Sequence, residues 1–228
     1  MADDKPRTIR VWDLPVRLFH WALVVLLATS YFSGRAGGDW MDLHFWSGYA
    51  ILTLLLFRIA WGFVGSTTAR FAHFIKGPAA ALHHLRELLR GPAREVGHNP
   101  LGGLMVVALL LAVLLQAGSG LFSADTDMGT VNGPLALKVA DAWVDRLTSF
   151  HQFWVDVILV LVALHVLAAA IYLVWKKQNL IGAMFTGRKP RHHAVAPDAP
   201  EPVLWFAPGR LALSLLIVAA AIVYFVVR

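Results

Sequence analysis

The chain has 228 residues and a formal net charge of +6, and 58% of its residues are hydrophobic while only 15% are charged. Soluble domains average roughly 45 to 50% apolar and about 25% charged residues, so this composition argues against a water-soluble enzyme and predicts an all-α integral membrane protein. Because the chain has no cysteine, it excludes disulfides, thiolate zinc sites, iron–sulfur clusters and covalent haem attachment through a Cys-x-x-Cys-His motif.

Five apolar runs follow one another along the chain, and each is about as long as a membrane-spanning helix, which needs about 20 residues. They lie at about 16–33, 44–64, 101–122, 150–175 and 204–227. We predict an N-terminal tail over 1–15, a four-helix transmembrane core over 16–190, a Pro- and Ala-rich linker over 191–203 and a fifth transmembrane helix over 204–227. Within the core, leucines on one side of the segment at about 79–90 predict an amphipathic helix at the membrane surface.

Lysine and arginine alternate in number along the connections between these runs. The tail and the start of the first run carry four of them, and the next four connections carry one, five, two and five. Because basic residues accumulate in cytoplasmic loops, this alternation places the N-terminus in the cytoplasm and the C-terminus on the outer side. The positive charge is therefore a topology signal, and we expect lipid and no nucleic acid around this protein.

Four histidines lie inside or at the edge of the apolar runs, where an ionisable residue is costly and marks a candidate functional site. His20 is in the first run, His44 begins the second, and His151 and His165 are in the fourth. On a helix, 14 residues span about 21 Å and return a side chain to nearly the same face. The predicted topology pairs His44 with His151 near the outer side, and His20 with His165 near the cytoplasmic side.

Two histidine pairs at two depths, in a chain without cysteine, predict two b-type haems with irons about 20 Å apart. The inner pair requires the fourth helix to protrude into the cytoplasm, because its apolar run is about 26 residues long. For a single histidine such as His44, an interhelical hydrogen bond is the alternative. A zinc or copper site fits less well, because each level offers two ligands and no nearby carboxylate or thiol.

Three further residues are candidates for contacts with a haem propionate or a quinone. Arg58 follows His44 by 14 residues and so shares its face, and Arg17 precedes His20 by three. For Arg58, snorkelling to the membrane surface is the alternative. His98 begins the third span, where a surface turn is the alternative. We expect the remaining histidines near the surface, among them His84, to be solvated.

Several motifs in this order resemble the bacterial di-haem cytochrome b561 proteins, in particular the subgroup of cytochrome b subunits of nickel–iron hydrogenases. The motifs are VWDLPVRLFHW (11–21), LHFWSGY (43–49), FRIAWGFVG (57–65), GHNPLGG (97–103) and NLIGAMFTGRKP (179–190), together with the spacing of His151 and His165. The resemblance implies that His20, His44, His151 and His165 are axial ligands of two haem b groups. Many relatives have Glu where this chain has Gln152, and the fifth helix lies outside the shared core.

The resemblance also implies a function and a place in the cell. It implies a multi-pass protein of the bacterial inner membrane that transfers electrons between quinone, either ubiquinone or menaquinone, and a periplasmic redox protein. That protein would be a hydrogenase or a c-type cytochrome. A superoxide oxidase that reduces ubiquinone is the enzymatic alternative, although its anionic substrate would favour basic outer loops and those of this chain are acidic. A membrane anchor with structural histidines is the non-redox alternative.

Overall fold

The structure is a computed structural model that describes residues 7–87, 94–124 and 131–228. In these ranges the chain forms nine α-helices and two short strands. The helices are α1 (Leu14–Ala36), α2 (Met41–Val64), α3 (Phe71–Phe74), α4 (Pro78–Glu87), α5 (Pro100–Gly120), α6 (Asp141–Val174), α7 (Leu180–Thr186), α8 (Arg191–Ala194) and α9 (Gly209–Val227). Five of them, α1, α2, α5, α6 and α9, are long and apolar enough to cross a membrane, which confirms the predicted all-α membrane fold.

The first four spanning helices form two packed pairs, and the fifth packs against one of them. The α1 helix lies along α2, α5 lies along α6, and α2 joins the two pairs through its contact with α5. The α9 helix packs on α2, where Ala219 enters the same apolar cluster as Phe57 and Trp61. A second cluster fills the middle of the bundle and consists of Ile51, Leu55, Ala112, Val113 and Ile158.

A small antiparallel ribbon closes one end of the bundle, which we call the N-terminal end. Strand β1 (Thr8–Arg10) pairs with β2 (Arg188–Pro190), so that Ile9 lies opposite Lys189. Helix α7 leads into this ribbon and stacks Phe185 on Trp21 of α1, with ring centroids 4.1 Å apart. The ribbon therefore ties the residues before α1 to the residues after α7.

Helix α6 has 34 residues and is much longer than its neighbour α5. At the N-terminal end the start of α5 lies beside the end of α6, because Asn99, just before α5, donates a hydrogen bond to Tyr172 near the end of α6. The extra turns, over 141–150, lie at the opposite end. These polar turns extend α6 before its apolar run begins at about 150, and the protrusion of that run into the cytoplasm stays a prediction.

The surface helix and the last span differ from their predicted limits. Helix α4 covers Pro78–Glu87, and the end of the predicted amphipathic helix lies outside the described residues. Helix α9 begins at Gly209 rather than at 204. The residues before it run in an extended form and bond to the loop after α2, through Trp205 with Thr67 and Ala207 with Ser66.

Asp13 fixes the start of α1 and joins it to α2. Its Oδ1 accepts a hydrogen bond from the backbone N–H of Val16 at 2.8 Å, which caps the helix. Its Oδ2 accepts a bond from Trp61 Nε1 at 2.9 Å. Asp13 is 1% exposed and Trp61 is fully buried, so both bonds are shielded from water.

Substitution Asp13→Ala is expected to destabilise the protein by about 2 to 4 kcal/mol, because it removes the cap and leaves the buried Trp61 N–H without an acceptor. Thermal unfolding in detergent, followed by circular dichroism, measures the effect. The control is Asp198→Ala, because Asp198 is exposed and should leave the midpoint unchanged. Equal midpoints for the two variants would contradict the role given to Asp13.

Candidate functional site

The structure brings the four predicted histidines together as two pairs of facing rings. His44 of α2 faces His151 of α6 with ring centroids 6.0 Å apart. His20 of α1 faces His165 of α6 with centroids 6.3 Å apart. The first pair lies at the opposite end of the bundle and the second at the N-terminal end, with the mid-bundle apolar cluster between them.

The separation of the rings fits one metal ion held between each pair. Two imidazoles on opposite sides of an ion, with metal–nitrogen bonds of about 2.0 to 2.1 Å, place their ring centroids roughly 6.4 Å apart. Within the described residues, no group of three or more His, Cys, Asp or Glu side chains could hold a metal ion. Two ligands per level therefore fit haem iron, whose other ligands come from the porphyrin, better than a zinc or copper site.

Backbone carbonyls orient both rings at the opposite end. His44 Nδ1 donates to the carbonyl of Ser30 at 2.8 Å, and His151 Nδ1 donates to the carbonyl of Gln116 at 2.9 Å. The Gln116 amide in turn donates to the carbonyl of His151 at 3.0 Å and lies 3.3 Å from His151 Nε2. With the proton on Nδ1, the Nε2 atom of each ring is the one that can bind iron.

Two glycines make room for these rings. A Cβ at Gly34 of α1 would lie 2.7 Å from His44 Nδ1, and a Cβ at Gly120 of α5 would lie 2.8 Å from His151 Cε1. By contrast, a Cβ at Gly48 or Gly118 would meet no heavy atom within 4 Å. Gly34 and Gly120 are thus needed for the close approach of a helix to a histidine, and Gly48 and Gly118 are not.

Arg58 is buried at the N-terminal end, with 2% of its surface exposed, and does not snorkel. Its guanidinium carbon lies 5.2 Å from the ring centroid of Phe71, and its Nη1 has no hydrogen-bond partner among the described residues. The nearby carboxylate, Asp13, already uses both oxygens for Val16 and Trp61. A buried guanidinium whose Nη1 has no described partner fits a further carboxylate such as a haem propionate.

His98 and Arg17 each have a buried side-chain nitrogen without a described hydrogen-bond partner. His98 packs between Trp12 and Phe74, with ring centroids 4.6 and 4.8 Å away. Its Nδ1 is buried without a described partner, and burial, reinforced by the charge of Arg58, lowers the pKa of His98 to about 3. Arg17 donates from Nη1 to the carbonyl of Thr186 at 2.8 Å and so holds the end of α7, while its buried Nε has no described partner.

The sequence did not reveal a polar group near the same end. His84 of α4, predicted to be solvated, is half-buried and lies with its Nε2 3.1 Å from the hydroxyl of Tyr172. Asn99 donates to the same hydroxyl at 2.7 Å. Lys189 is buried and donates to the carbonyl of Glu95 at 3.0 Å. The one signal in the sequence is that Tyr172 follows His165 by seven residues, two helical turns along the same face.

The chain is similar in sequence to known b-type cytochromes. A family model described as prokaryotic cytochrome b561 matches residues 11–187. Similar curated proteins include the "Probable Ni/Fe-hydrogenase B-type cytochrome subunit" of Rhizobium leguminosarum bv. viciae, 26% identical over 213 residues, which cover 80% of this chain and 89% of the relative. The protein of the same name from Azotobacter chroococcum mcd 1 is 28% identical over 225 residues, covering 80% and 89%. No solved structure matches the chain.

The match covers most of the chain, including both histidine pairs and the motifs around them. A b-type cytochrome family implies haem b and electron transport, and the five apolar helices place the chain in a membrane. The chain therefore belongs to the prokaryotic cytochrome b561 family and is a multi-pass membrane protein.

Proposed function

We propose that this protein transfers electrons across the bacterial inner membrane, between the quinone pool and a periplasmic redox partner, through two haem b groups. The observation that carries the proposal is the presence of two histidine pairs, one toward each end of the bundle, with ring separations of 6.0 and 6.3 Å. One site could serve a reaction on one side of the membrane only. Two sites at different depths give electrons a route between the sides.

In this proposal the chain holds and spaces the cofactors. Haem b supplies reversible one-electron chemistry at iron. His20 and His165 would hold the haem at the N-terminal end, and His44 and His151 the other. Ser30 and Gln116 keep the second pair of rings in position through their carbonyls. The mid-bundle cluster defined above keeps water out between the two levels.

Arg58, Arg17 and His98 are proposed to contact a haem propionate or a quinone at the N-terminal end. The unpaired buried atoms of all three side chains support this role. The alternation of basic residues supports a cytoplasmic N-terminus and a periplasmic C-terminus. Quinone would then react at the N-terminal end and the periplasmic partner at the other. The names of the relatives favour a Ni/Fe hydrogenase as that partner, and a c-type cytochrome is the other candidate.

Purification in mild detergent tests the proposal directly. We expect a dithionite-reducible b-type spectrum, two haem b per chain and copurification with a Ni/Fe hydrogenase. In that complex, H2 should reduce the haems, and added ubiquinone or menaquinone should reoxidise them. A single haem per chain would contradict the two-site arrangement. Reduction by superoxide that outpaces reduction by the partner, measured by stopped flow, would instead support the superoxide oxidase.

A further inference from the structure

The rings of His44 and His151 lie against two segments of the same construction, which we call the histidine seats. Each seat has a residue whose backbone carbonyl faces the ring, a serine three residues later and a glycine four residues later. The seats are Ser30, Ser33 and Gly34 on α1, and Gln116, Ser119 and Gly120 on α5.

The α5 seat offers two acceptors to the ring of His151. His151 Nδ1 lies 2.9 Å from the Gln116 carbonyl oxygen and 3.3 Å from Ser119 Oγ. The Ser119 hydroxyl donates to the same carbonyl at 2.9 Å, so its lone pairs face the ring. Because a carbonyl can only accept, the ring proton must lie on Nδ1, and the serine oxygen is its second acceptor.

The α1 seat repeats this arrangement around His44. His44 Nδ1 lies 2.8 Å from the Ser30 carbonyl oxygen and 3.3 Å from Ser30 Oγ. Ser33 is 3% exposed and donates to the same carbonyl at 3.2 Å. The two acceptors at His44 belong to one residue, whereas those at His151 belong to two. In both seats one ring N–H thus faces a carbonyl oxygen and a serine oxygen.

A third serine and glycine with this spacing show that the sequence pattern alone does not make a seat. Ser47 of α2 donates to the carbonyl of His44 at 2.9 Å and is followed by Gly48. A Cβ at Gly48 would meet no heavy atom within 4 Å, whereas one at Gly34 or Gly120 would collide with a histidine ring. A seat therefore also needs a neighbouring helix that brings a histidine to the carbonyl, as α2 does for α1 and α6 for α5.

The histidine pair at the N-terminal end is held differently. His20 Nδ1 is buried and has no hydrogen-bond partner among the described residues. The ring planes of His20 and His165 are 52° apart, while those of His44 and His151 are 90° apart. The two pairs therefore differ both in hydrogen bonding and in ring orientation.

An acceptor at Nδ1–H changes the chemistry of the other ring nitrogen. It draws the proton away from the ring, so Nε2 becomes a stronger donor to a bound metal ion. A stronger axial donor stabilises ferric relative to ferrous iron and so lowers the reduction potential of a haem. Two acceptors at each ring of one pair, and no described acceptor at His20 Nδ1, thus predict different potentials at the two ends.

We propose that Ser30 and Ser119 are positioning residues, which fix the rings of His44 and His151 and lower the reduction potential of the haem at that end below that of the other haem. The inference rests on the proposed function, in which these histidines bind haem iron. An electron that enters at the opposite end then moves toward the higher potential. The seats thus favour its transfer to the N-terminal end.

Redox titration of the purified, haem-loaded protein, followed by haem absorption, tests the inference. The variants are Ser30→Ala, Ser119→Ala and the double variant. Ser30→Thr and Ser119→Thr keep a hydroxyl group and test for rescue. The matched control is Ser214→Ala, because Ser214 also donates to a carbonyl of its own helix, at 3.1 Å, but lies exposed on α9.

The wild type should titrate in two one-electron steps. Each alanine variant should shift the lower step upward by about threefold in the electron equilibrium, or about 28 mV at about 59 mV per tenfold change, and the double variant by about tenfold. The higher step and the haem content should not change. The threonine variants and Ser214→Ala should titrate like the wild type.

The EPR spectrum of the ferric protein gives a readout that does not depend on electron transfer. The g values of a low-spin haem with two imidazole ligands depend on the angle between the ring planes. The lower-potential haem should give the signal of nearly perpendicular planes, in keeping with the 90° angle between His44 and His151. This signal should change in Ser30→Ala and Ser119→Ala and stay the same in Ser214→Ala.

Two negative results are distinguishable. If the wild type carries two haems and the alanine variants leave the lower step and the EPR signal unchanged, or shift the higher step instead, the role given to the seats is wrong and the proposed function stands. If the wild type carries fewer than two haems, the proposed function itself is wrong, and the inference falls with it.

Discussion

Substitution His151→Ala is expected to remove one of the two proposed haems and leave the other in place. The substitution deletes the α6 histidine of the pair at the opposite end, while His165 lies 14 residues, about 21 Å, further along α6 and keeps its facing geometry with His20. The haem content, measured by the pyridine haemochrome spectrum, should fall by about half relative to the wild type, since each site holds one group.

The remaining haem should still be reduced by dithionite, but electrons should no longer pass between the periplasmic partner and quinone. His192→Ala is the matched control, because His192 is exposed at α8 and its described ring contact is with the neighbouring His193. Retention of two haems in His151→Ala would refute the assignment of His44 and His151 as a ligand pair.

Substitution Gly120→Ala is expected to disturb the same haem without touching a ligand. Its Cβ would come within 2.8 Å of His151 Cε1, so the ring must move away from its present position. Overpacking of this kind costs about 1 to 3 kcal/mol, which corresponds to roughly 5- to 150-fold weaker haem binding. Haem titration of the apoprotein and the midpoint potential of the site measure the effect.

The matched control lies two residues earlier on the same helix. Gly118→Ala adds the same methyl group and the same gain in helix propensity, but its Cβ meets no heavy atom within 4 Å. Its haem affinity should therefore differ little from that of the wild type. Equal losses in Gly118→Ala and Gly120→Ala would show that the effect comes from the helix and not from the His151 ring.

The fold could be predicted largely because a membrane restricts the secondary structures that a spanning segment can adopt. Apolar runs long enough to cross a bilayer must be helical, since lipid cannot satisfy the backbone polar groups. Periodicity then placed His151 and His165 on one face of α6, and topology matched them with His44 and His20. The length of α6 could not be obtained in this way, because its first turns, with Asp141, Asp145 and Arg146, are polar and carry no hydropathy signal.

Contacts between segments that are distant in the chain could not be predicted from the sequence. His84 and Tyr172 are separated by 88 residues, and the sequence pattern of α4 predicts only that His84 lies on its polar side. Arg58 shows the same limit. Helical spacing gave its face and depth, but its burial depends on the aromatic ring of Phe71 from α3, whose position follows from the loop after α2.

The ribbon between β1 and β2 bears on how the protein is made. Strand β1 precedes the four-helix core and β2 lies at its end, so β1 cannot pair until residues 188–190 have been synthesised. Until then, the N-terminal end of the core has no ribbon to close it. A nascent chain that has completed α6 therefore still lacks the contact that joins the residues before α1 to those after α7.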